Sequence, residues 1–198
     1  MATDQPKPED ILAQVPHQEH GVQRRAPAPV HLWNPPVTGR LEMRIGRDGT
    51  WYYQDGPITR QSMAQLFSGI LRLEEDGTYY LVTPVERWAI EVEDAPFVAV
   101  SVELEGQGKE QVLTFTTNLG DAVEAGKDNP IRVEIDPETQ EPAPYVLLRG
   151  NLEALINRNL FYELADLAVD HEVNGQSCLG VWSNGLFFPL DGTPRSSD

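Results

Sequence analysis

The stretch that decides the fold is residues 49–97, GTWYYQDGPITRQSMAQLFSGILRLEEDGTYYLVTPVERWAIEVEDAPF. An aromatic run at 51–53 precedes the turn residues Asp55-Gly56-Pro57, and segments of alternating polarity lie at 79–82 and 85–93. Alternating segments bounded by turn residues are typical of strands. The stretch therefore predicts a strand, a helix and a hairpin in this order, and it contains no catalytic motif.

The helix is predicted between the aromatic run and the hairpin. Thr59 is expected to cap its N-terminus, with Ile58 and Met63 packed against each other on either side of the cap. The apolar residues recur at the 3.6-residue period and predict one face packed on a sheet, whereas polar residues face away. The inward residues are Met63, Leu66, Phe67 and Ile70, and the outward residues are Arg60, Gln61, Gln65 and Ser68.

The composition is that of a globular protein with one large or two small cores, since 40% of the 198 residues are hydrophobic. No apolar run approaches the roughly 20 residues that cross a bilayer, and the N-terminus does not resemble a secretory signal peptide. We therefore expect a cytoplasmic protein. Cys178 is the single cysteine, which excludes an intramolecular disulfide and a multi-cysteine metal site.

The charge argues against two classes of partner. A formal net charge of -16 repels nucleic acid and anionic membrane surfaces, so neither is expected to bind. The basic residues are mostly arginines, because only Lys7, Lys109 and Lys127 are lysines. Arginine suits bidentate contact with phosphate or carboxylate, although a compositional bias of the genome also explains the preference.

The chain is predicted to be an α+β protein of two similar small domains, each with antiparallel strands packed against one amphipathic helix. The predicted segments are a flexible tail at 1–29, an N-terminal α+β domain at 30–93, a C-terminal domain at 94–190 and a second tail at 191–198. The first tail is rich in proline and polar residues and contains His17 and His20, which have no scaffold to fix them around a metal.

The C-terminal half repeats the element order of the N-terminal half. Asn151 is predicted to cap a helix from Leu152 to about Val169, and Asn184-Gly185 to turn a closing hairpin. Trp88 and Trp182 are expected in corresponding places. The inward residues of this second helix are predicted to be Leu152, Leu155, Ile156, Leu160, Leu164 and Leu167.

Several motifs resemble the bacterial domain-of-unknown-function family 1285. They are WNPP, DGTWYYQDGPITR, DGTYYLVTPVERWAIEVEDAPFVAV, LTFTTNLGD, LEALINRNLFYEL and VWSNGLFF, and they span about Trp33 to Leu190. The resemblance implies a duplicated two-domain core whose C-terminal half is similar to a pleckstrin-homology domain. It also implies a groove between the domains for a nucleotide-like molecule and a role in signal transduction. It implies no catalytic mechanism.

The candidate ligand-binding residues lie in both halves. Arg87 could meet an anion over an indole face, or pair structurally with a neighbour, and Glu86 and Trp88 flank it. Asn159 is expected in line with the inward face of the second helix, or at its edge. The full candidate set is Glu86, Arg87, Trp88, Arg149, Arg158, Asn159, Tyr162 and Trp182.

Three functions remain open from the sequence. The first is a non-catalytic binding or sensing module for a small, nucleotide-like anion, which needs a polar pocket that contains arginines. The second is a protein-interaction scaffold, which needs an exposed apolar patch. The third is a hydrolase or transferase that uses Cys178 with His171, or Glu86 with Asp121 or Glu163. No motif identifies a cofactor or a protein partner, so both are unknown.

Overall fold

The structure is a computed structural model that describes residues 6–15 and 27–192. Contacts divide the chain into two compact units, unit 1 over residues 1–94 and unit 2 over residues 95–198. Both units are rich in strands and contain short helices, so the protein is a two-domain α+β protein. Among the described residues, no helix is long and apolar enough to cross a membrane.

Unit 1 is built on one mixed sheet of six strands in the order β3-β2-β1-β6-β5-β4. Neighbouring strands are antiparallel except β1 and β6, which are parallel at the centre of the sheet. The prediction of purely antiparallel strands is therefore wrong at this pair. The elements are α1 (Pro8–Leu12), β1 (Val37–Ile45), β2 (Trp51–Tyr53), β3 (Gly56–Pro57), α2 (Gln61–Gly69), β4 (Leu71–Leu73), β5 (Tyr79–Val82) and β6 (Arg87–Val92).

Helix α2 packs on the apolar side of this sheet. Phe67 is fully buried and its ring stacks on Trp51, with 6.0 Å between ring centroids. The N-cap is Arg60, which makes no capping hydrogen bond through its side chain, so the predicted Thr59 cap is wrong. Ser68 was expected to face solvent but is buried, and its hydroxyl donates to the carbonyl oxygen of Gln65 at 2.9 Å. That bond explains why a polar residue is tolerated there.

Residues 6–15 differ from the flexible tail that was predicted over residues 1–29. They include helix α1, whose Ile11 side chain is 0% exposed. Residues 27–29 are also held, because the amide of Ala28 donates to the carbonyl oxygen of Gly69 at 2.9 Å. His17 and His20 lie outside the described residues.

Unit 2 contains a second six-stranded sheet and a smaller sheet of three strands. The orders are β10-β11-β12-β7-β8-β9 and β13-β14-β15, and β7 and β12 are the parallel pair. The elements are β7 (Phe97–Glu105), β8 (Val112–Thr117), β9 (Ala122–Glu124), β10 (Ile131–Ile135), β11 (Pro142–Arg149), β12 (Leu152–Ile156), α3 (Arg158–Asp166), β13 (Val169–Val173), β14 (Gln176–Ser183) and β15 (Leu186–Pro189).

The predicted helix from Leu152 to Val169 is wrong over its first and last parts. Residues 152–156 form a strand in which every second side chain is buried, which is the period of a strand rather than of a helix. The helix begins only at Arg158, and its cap is Asn157, whose side chain accepts from the amide of Leu160 at 2.9 Å. The predicted hairpin turn at Asn184-Gly185 is confirmed, since both residues have positive φ between paired strands.

The two six-stranded sheets have the same strand order. Numbered from the first strand of each sheet, both run 3-2-1-6-5-4. The helix follows the third strand in unit 1 and the sixth strand in unit 2. Trp88 lies in the first of these sheets, whereas Trp182 lies in the three-stranded sheet, so their predicted correspondence is wrong.

Candidate functional site

The side of the unit 1 sheet that faces away from α2 is polar, and we call it the polar face. Residues paired directly across neighbouring strands have their side chains on the same face of a sheet. Arg72 pairs with Tyr80, Tyr80 pairs with Ala89, and Ala89 pairs with Arg40. These four residues therefore form one row across β4, β5, β6 and β1, and Ala89 has the smallest side chain of the row.

Two arginines on the polar face share one carboxylate, and we call Arg72 and Arg87 the arginine pair. The Oε1 atom of Glu74 accepts from Nη2 of Arg72 and from Nη1 of Arg87, the latter at 2.9 Å. The guanidinium of Arg87 lies over the ring of Tyr80, 5.3 Å from its centroid. Both arginines are thereby held in fixed positions on the sheet.

Arg72 is fixed further by the segment that precedes β1. Its Nη1 atom donates to the carbonyl oxygens of Val30 at 2.8 Å and Trp33 at 2.6 Å. The Arg72 side chain is 16% exposed, and that of Arg87 is 23% exposed. Such partly buried cations interact with an anion more strongly than fully exposed ones do, because less water screens them.

Each arginine of the arginine pair has one buried hydrogen-bond donor that lacks an acceptor among the described residues. The Nε atoms of Arg72 and Arg87 are buried and have no hydrogen-bond acceptor within the part of the chain that the structure describes. Each buried donor without an acceptor costs about 1–3 kcal/mol. Two guanidinium groups contact the single Glu74 carboxylate, and the charge of Asp76 also acts on Arg87. The two partly exposed guanidinium groups favour an incoming anion, whereas the buried Nε donors become available to it only if these side chains rearrange.

A cavity of about 530 Å³ lies on the same face of unit 1. Within it the guanidinium of Arg44 lies 4.1 Å from the ring centroid of Tyr52. Arg40 pairs with Glu91 at 3.1 Å, and these side chains are 70% and 54% exposed, so the pair contributes little stability and can exchange partners. The lining residues are Arg40, Leu41, Glu42, Met43, Arg44, Tyr52, Gln54, Asp55 and Glu91.

The predicted residues Arg87 and Trp88 lie on opposite faces of the sheet, and Glu86 lies in the turn before them. Arg87 lies on the polar face, and the alternation along β6 places the neighbouring Trp88 on the opposite face. Arg87 therefore lies over Tyr80 and not over an indole. Glu86 already accepts from Nε2 of Gln14 at 2.7 Å.

The predicted residues Arg149 and Arg158 lie far apart in unit 2. Arg149 pairs with Asp121 at 3.2 Å and lies over the ring of Phe97, and Arg158 pairs with Glu141 at 3.4 Å. Glu141 directly precedes β11 and Arg149 ends it, so about 25 Å of extended strand separates them. One nucleotide-sized anion cannot contact both arginines. Burial lowers the pKa of Arg149, and the charge of Asp121 opposes this effect.

The predicted helix residues Asn159 and Tyr162 are exposed. Tyr162 is 58% exposed, whereas Leu160 and Leu164 form the buried side of α3. Asn159 and Glu163 therefore do not lie on the inward face.

Trp182 belongs to an aromatic cluster on the three-stranded sheet. Its ring centroid is 4.8 Å from that of His171 and 5.3 Å from that of Phe187, and the Nζ atom of Lys109 lies 4.8 Å from it. A side chain at Gly180 would approach the Phe187 ring to 2.6 Å, so this glycine makes room for the cluster. The cluster joins all three strands of the sheet.

The residues considered for catalysis are mostly engaged in structural contacts. His171 and Cys178 are paired across β13 and β14, but the thiol is buried and donates to the carbonyl oxygen of Gln176 at 3.6 Å. Asp121 pairs with Arg149, and Glu86 binds Gln14. Within the described residues, no group of three or more His, Cys, Asp or Glu side chains could hold a metal ion.

Sequence reasoning missed Arg72, Glu74 and Tyr80. The available signal was the segment LRLEE after α2, in which Arg72 and Glu74 are two residues apart and so share a face if the segment is a strand. The segment 71–73 had not been recognised as a strand, so this parity was not used. The missed residues complete the cluster around the predicted Arg87.

The fold, with two similar sheet-rich domains, defines a class of two-domain α+β proteins. Two family descriptions match it, "Domain of unknown function (DUF1285), N-terminal domain" over residues 28–95 and "Protein of unknown function (DUF1285), C-terminal domain" over residues 96–190. The chain belongs to the DUF1285 family, as the motifs predicted.

Two solved structures are similar to the chain. One is a DUF1285 family protein from Silicibacter pomeroyi DSS-3, with 58% sequence identity and a TM-score of 0.78, covering 86% of this chain and 90% of that chain. The other is a DUF1285 family protein from Shewanella baltica OS155, with 25% identity and a TM-score of 0.49, covering 63% of this chain and 90% of that chain. No curated protein matches the chain.

Proposed function

We propose that this protein is a non-catalytic module that binds a small, nucleotide-like anion through the arginine pair of unit 1. The observation that carries the proposal is that Arg72 and Arg87 share one carboxylate and keep two buried Nε–H donors without an acceptor. A phosphate group accepts several hydrogen bonds and suits the planar donors of arginine. An anion on the polar face would contact the partly exposed guanidinium groups beside the Glu74 carboxylate.

The cavity on the polar face is lined by Arg40 and Tyr52 but not by Arg72 or Arg87, so a ligand that also fills it would extend from the arginine pair across β6. Tyr52 and Tyr80 lie on the same face as the arginine pair and supply aromatic surface for a base. The Arg40–Glu91 pair is exposed enough for a ligand to replace Glu91 as the partner of Arg40. Because the chain has a net charge of -16, binding depends on these short-range contacts and not on long-range attraction.

Other parts of the proposal come from the family resemblance alone. They are the similarity of unit 2 to a pleckstrin-homology domain and a role in bacterial signal transduction. The cytoplasmic location is a separate prediction from the sequence. The expected absence of nucleic acid and membrane partners follows from the charge and stays a prediction.

A protein-interaction scaffold is the alternative function, and it needs one continuous apolar patch. The three-stranded sheet exposes Val169, Leu179 and Leu186 by 45%, 44% and 40%. The strand register places Val169 on one face and the two leucines on the other, so the three residues do not form one patch. Unit 1 also exposes Leu32, Val85 and Val37 by 71%, 64% and 50%. We therefore favour the anion-binding function on the basis of the contacts of the arginine pair, and not on a lack of exposed apolar surface.

The test is a thermal-shift and calorimetric screen of the full chain against phosphate, pyrophosphate and nucleoside mono-, di- and triphosphates. A ligand at about 100 times its Kd stabilises the fold by about 2.7 kcal/mol. Arg87→Lys and Arg72→Lys should each weaken binding about tenfold or more, because lysine keeps the charge but loses the planar fork. Arg158→Lys, which changes an exposed ion pair, is the matched control and should bind as the parent does.

A second variant, Glu74→Gln, tests how the Glu74 charge affects anion binding. Glu74→Gln removes the competing carboxylate and keeps its shape, so it should tighten anion binding, whereas Glu153→Gln in unit 2 should have no effect on it. If a ligand binds equally well to the parent and to all of the Arg72, Arg87 and Glu74 variants, the arginine pair is structural and the proposal is wrong.

A further inference from the structure

A short segment at the start of the described chain, residues 6–15, lies outside the sheet of unit 1. Residues 6–15 contribute no strand to the sheet, and their helix α1 has five residues. A helix of this length is not stable alone in water, so it depends on the surface that it contacts. The Ile11 side chain is 0% exposed, so the segment packs against the rest of the protein.

The segment is bound at both of its ends. The hydroxyl of Tyr53 donates to the carbonyl oxygen of Pro6 at 3.1 Å. At the other end the Gln14 side chain uses both of its polar atoms, because Nε2 donates to Glu86 at 2.7 Å and Oε1 accepts from the hydroxyl of Thr83 at 3.0 Å. A glutamine amide is thus recognised by one acceptor and one donor.

Thr83 and Glu86, the two residues that contact Gln14, lie in the β5–β6 turn, and this turn has hydrogen bonds of its own. The Oγ1 atom of Thr83 accepts from the amide of Glu86 at 3.1 Å, and the amide of Thr83 donates to the carbonyl oxygen of Glu86 at 2.9 Å. These bonds join residues of the β5–β6 connection to each other and do not involve the N-terminal segment. The turn therefore does not need the segment in order to present Thr83 and Glu86.

We propose that this surface is a peptide-binding site, and that residues 6–15 are its tethered ligand. The recognised pattern is an isoleucine and, three residues later, a glutamine, with the isoleucine buried and the glutamine held by the turn. The ligand class is a short peptide of this pattern, and the chain supplies one. This site is separate from the anion site, because its contacts are to Tyr53, Thr83 and Glu86 and not to the arginine pair.

The first experiment offers the peptide PKPEDILAQV, residues 6–15, to a full-length variant whose own segment is dislodged by Ile11→Asp and Gln14→Ala. A tethered ligand competes at an effective concentration in the millimolar range. A fluorescent peptide should therefore bind the variant at least tenfold more tightly than it binds the parent. The same peptide with alanine for isoleucine should not bind. Equal binding of the peptide to parent and variant, or equal binding of both peptides, overturns the proposal.

The second experiment does not depend on the doubly substituted chain. In the parent, hydrogen exchange at the amides of Ile11 and Ala13 should be faster than at Leu81 and Ile90 of the sheet, because a tethered ligand detaches locally. Gln14→Ala should accelerate exchange at Ile11 about tenfold and leave the sheet amides unchanged. If the variant accelerates exchange equally at both places, residues 6–15 are an integral part of the fold and the proposal fails.

Discussion

The two six-stranded sheets share a strand order but are covered by different parts of the chain. In unit 1 the helix between the third and fourth strands packs Phe67 on Trp51. In unit 2 the helix follows the sixth strand, and β14 of the smaller sheet contacts the six-stranded sheet as well. An apolar sheet face needs a cover, but the position of the cover in the chain is free. The sheet is therefore the repeated feature, and the cover is not.

The arginine clusters of the two units differ in their numbers of arginines and carboxylates. In unit 1 two arginines share Glu74. In unit 2 the single Arg132 contacts both Glu153 and Glu134, and these carboxylates raise its pKa above the usual value. Among the groups in direct contact, one positive charge is in excess in the first cluster and one negative charge in the second. Only the first arrangement suits an anion.

The largest expected effect is a loss of stability when the packing of α2 on the unit 1 sheet is weakened. Phe67→Ala removes a fully buried ring and should lower the free energy of unfolding by about 3–5 kcal/mol. Urea unfolding measures the loss, and hydrogen exchange should place it in unit 1. Leu66→Ala on the same helix is the control and should cost less, because Leu66 is only partly buried. An equal loss for both variants would show that α2 is not the cover.

A smaller effect compares the N-termini of the two helices. Asn157→Ala removes the capping bond of α3 and should cost about 0.5–2 kcal/mol. Arg60→Ala should cost little, because Arg60 makes no capping bond through its side chain, and Arg60→Asp should stabilise α2 by supplying one. Urea midpoints of the three variants measure these differences. A destabilising Arg60→Asp would contradict the assignment of this N-cap.

The smallest effect concerns acid stability of unit 1. Its two Asp-Gly-Thr turns lower the pKa of Asp48 and Asp76 through hydrogen bonds from Thr50 and Thr78. A lowered folded-state pKa means that the stabilisation is present above the unfolded-state value of about 4 and is lost as the pH falls below it. The double variant Asp48→Asn, Asp76→Asn should therefore flatten the decline in melting temperature between about pH 5 and 3. An unchanged pH profile would count against these bonds.

Patterns within short segments predicted much of the fold. The period of α2, the hairpin at Asn184-Gly185 and the alternation in β6 depend on neighbouring residues, and the structure contains all three. The strand at 152–156 was mistaken for the start of a helix because LEALI is compatible with both periods. The choice is made by burial of Leu152, Ala154 and Ile156 on one side of the sheet.

The sequence by itself determined the α+β class, the Asn184-Gly185 turn, the presence of α2 and the family, because each rests on local periods or continuous motifs. It did not determine the whole buried side of α2, because Ser68 is buried and Met63 and Leu66 are only partly buried.

Tertiary structure alone decided the parallel pairing of first and sixth strands, the docking of Ile11 and Gln14, and the partners of each arginine. These features join residues that are distant in the chain, as Gln14 and Glu86 are. Arg87 could be selected from the sequence. Arg72 and the shared carboxylate of Glu74 could not, because they reach Arg87 only through the pairing of β4 with β5 and of β5 with β6.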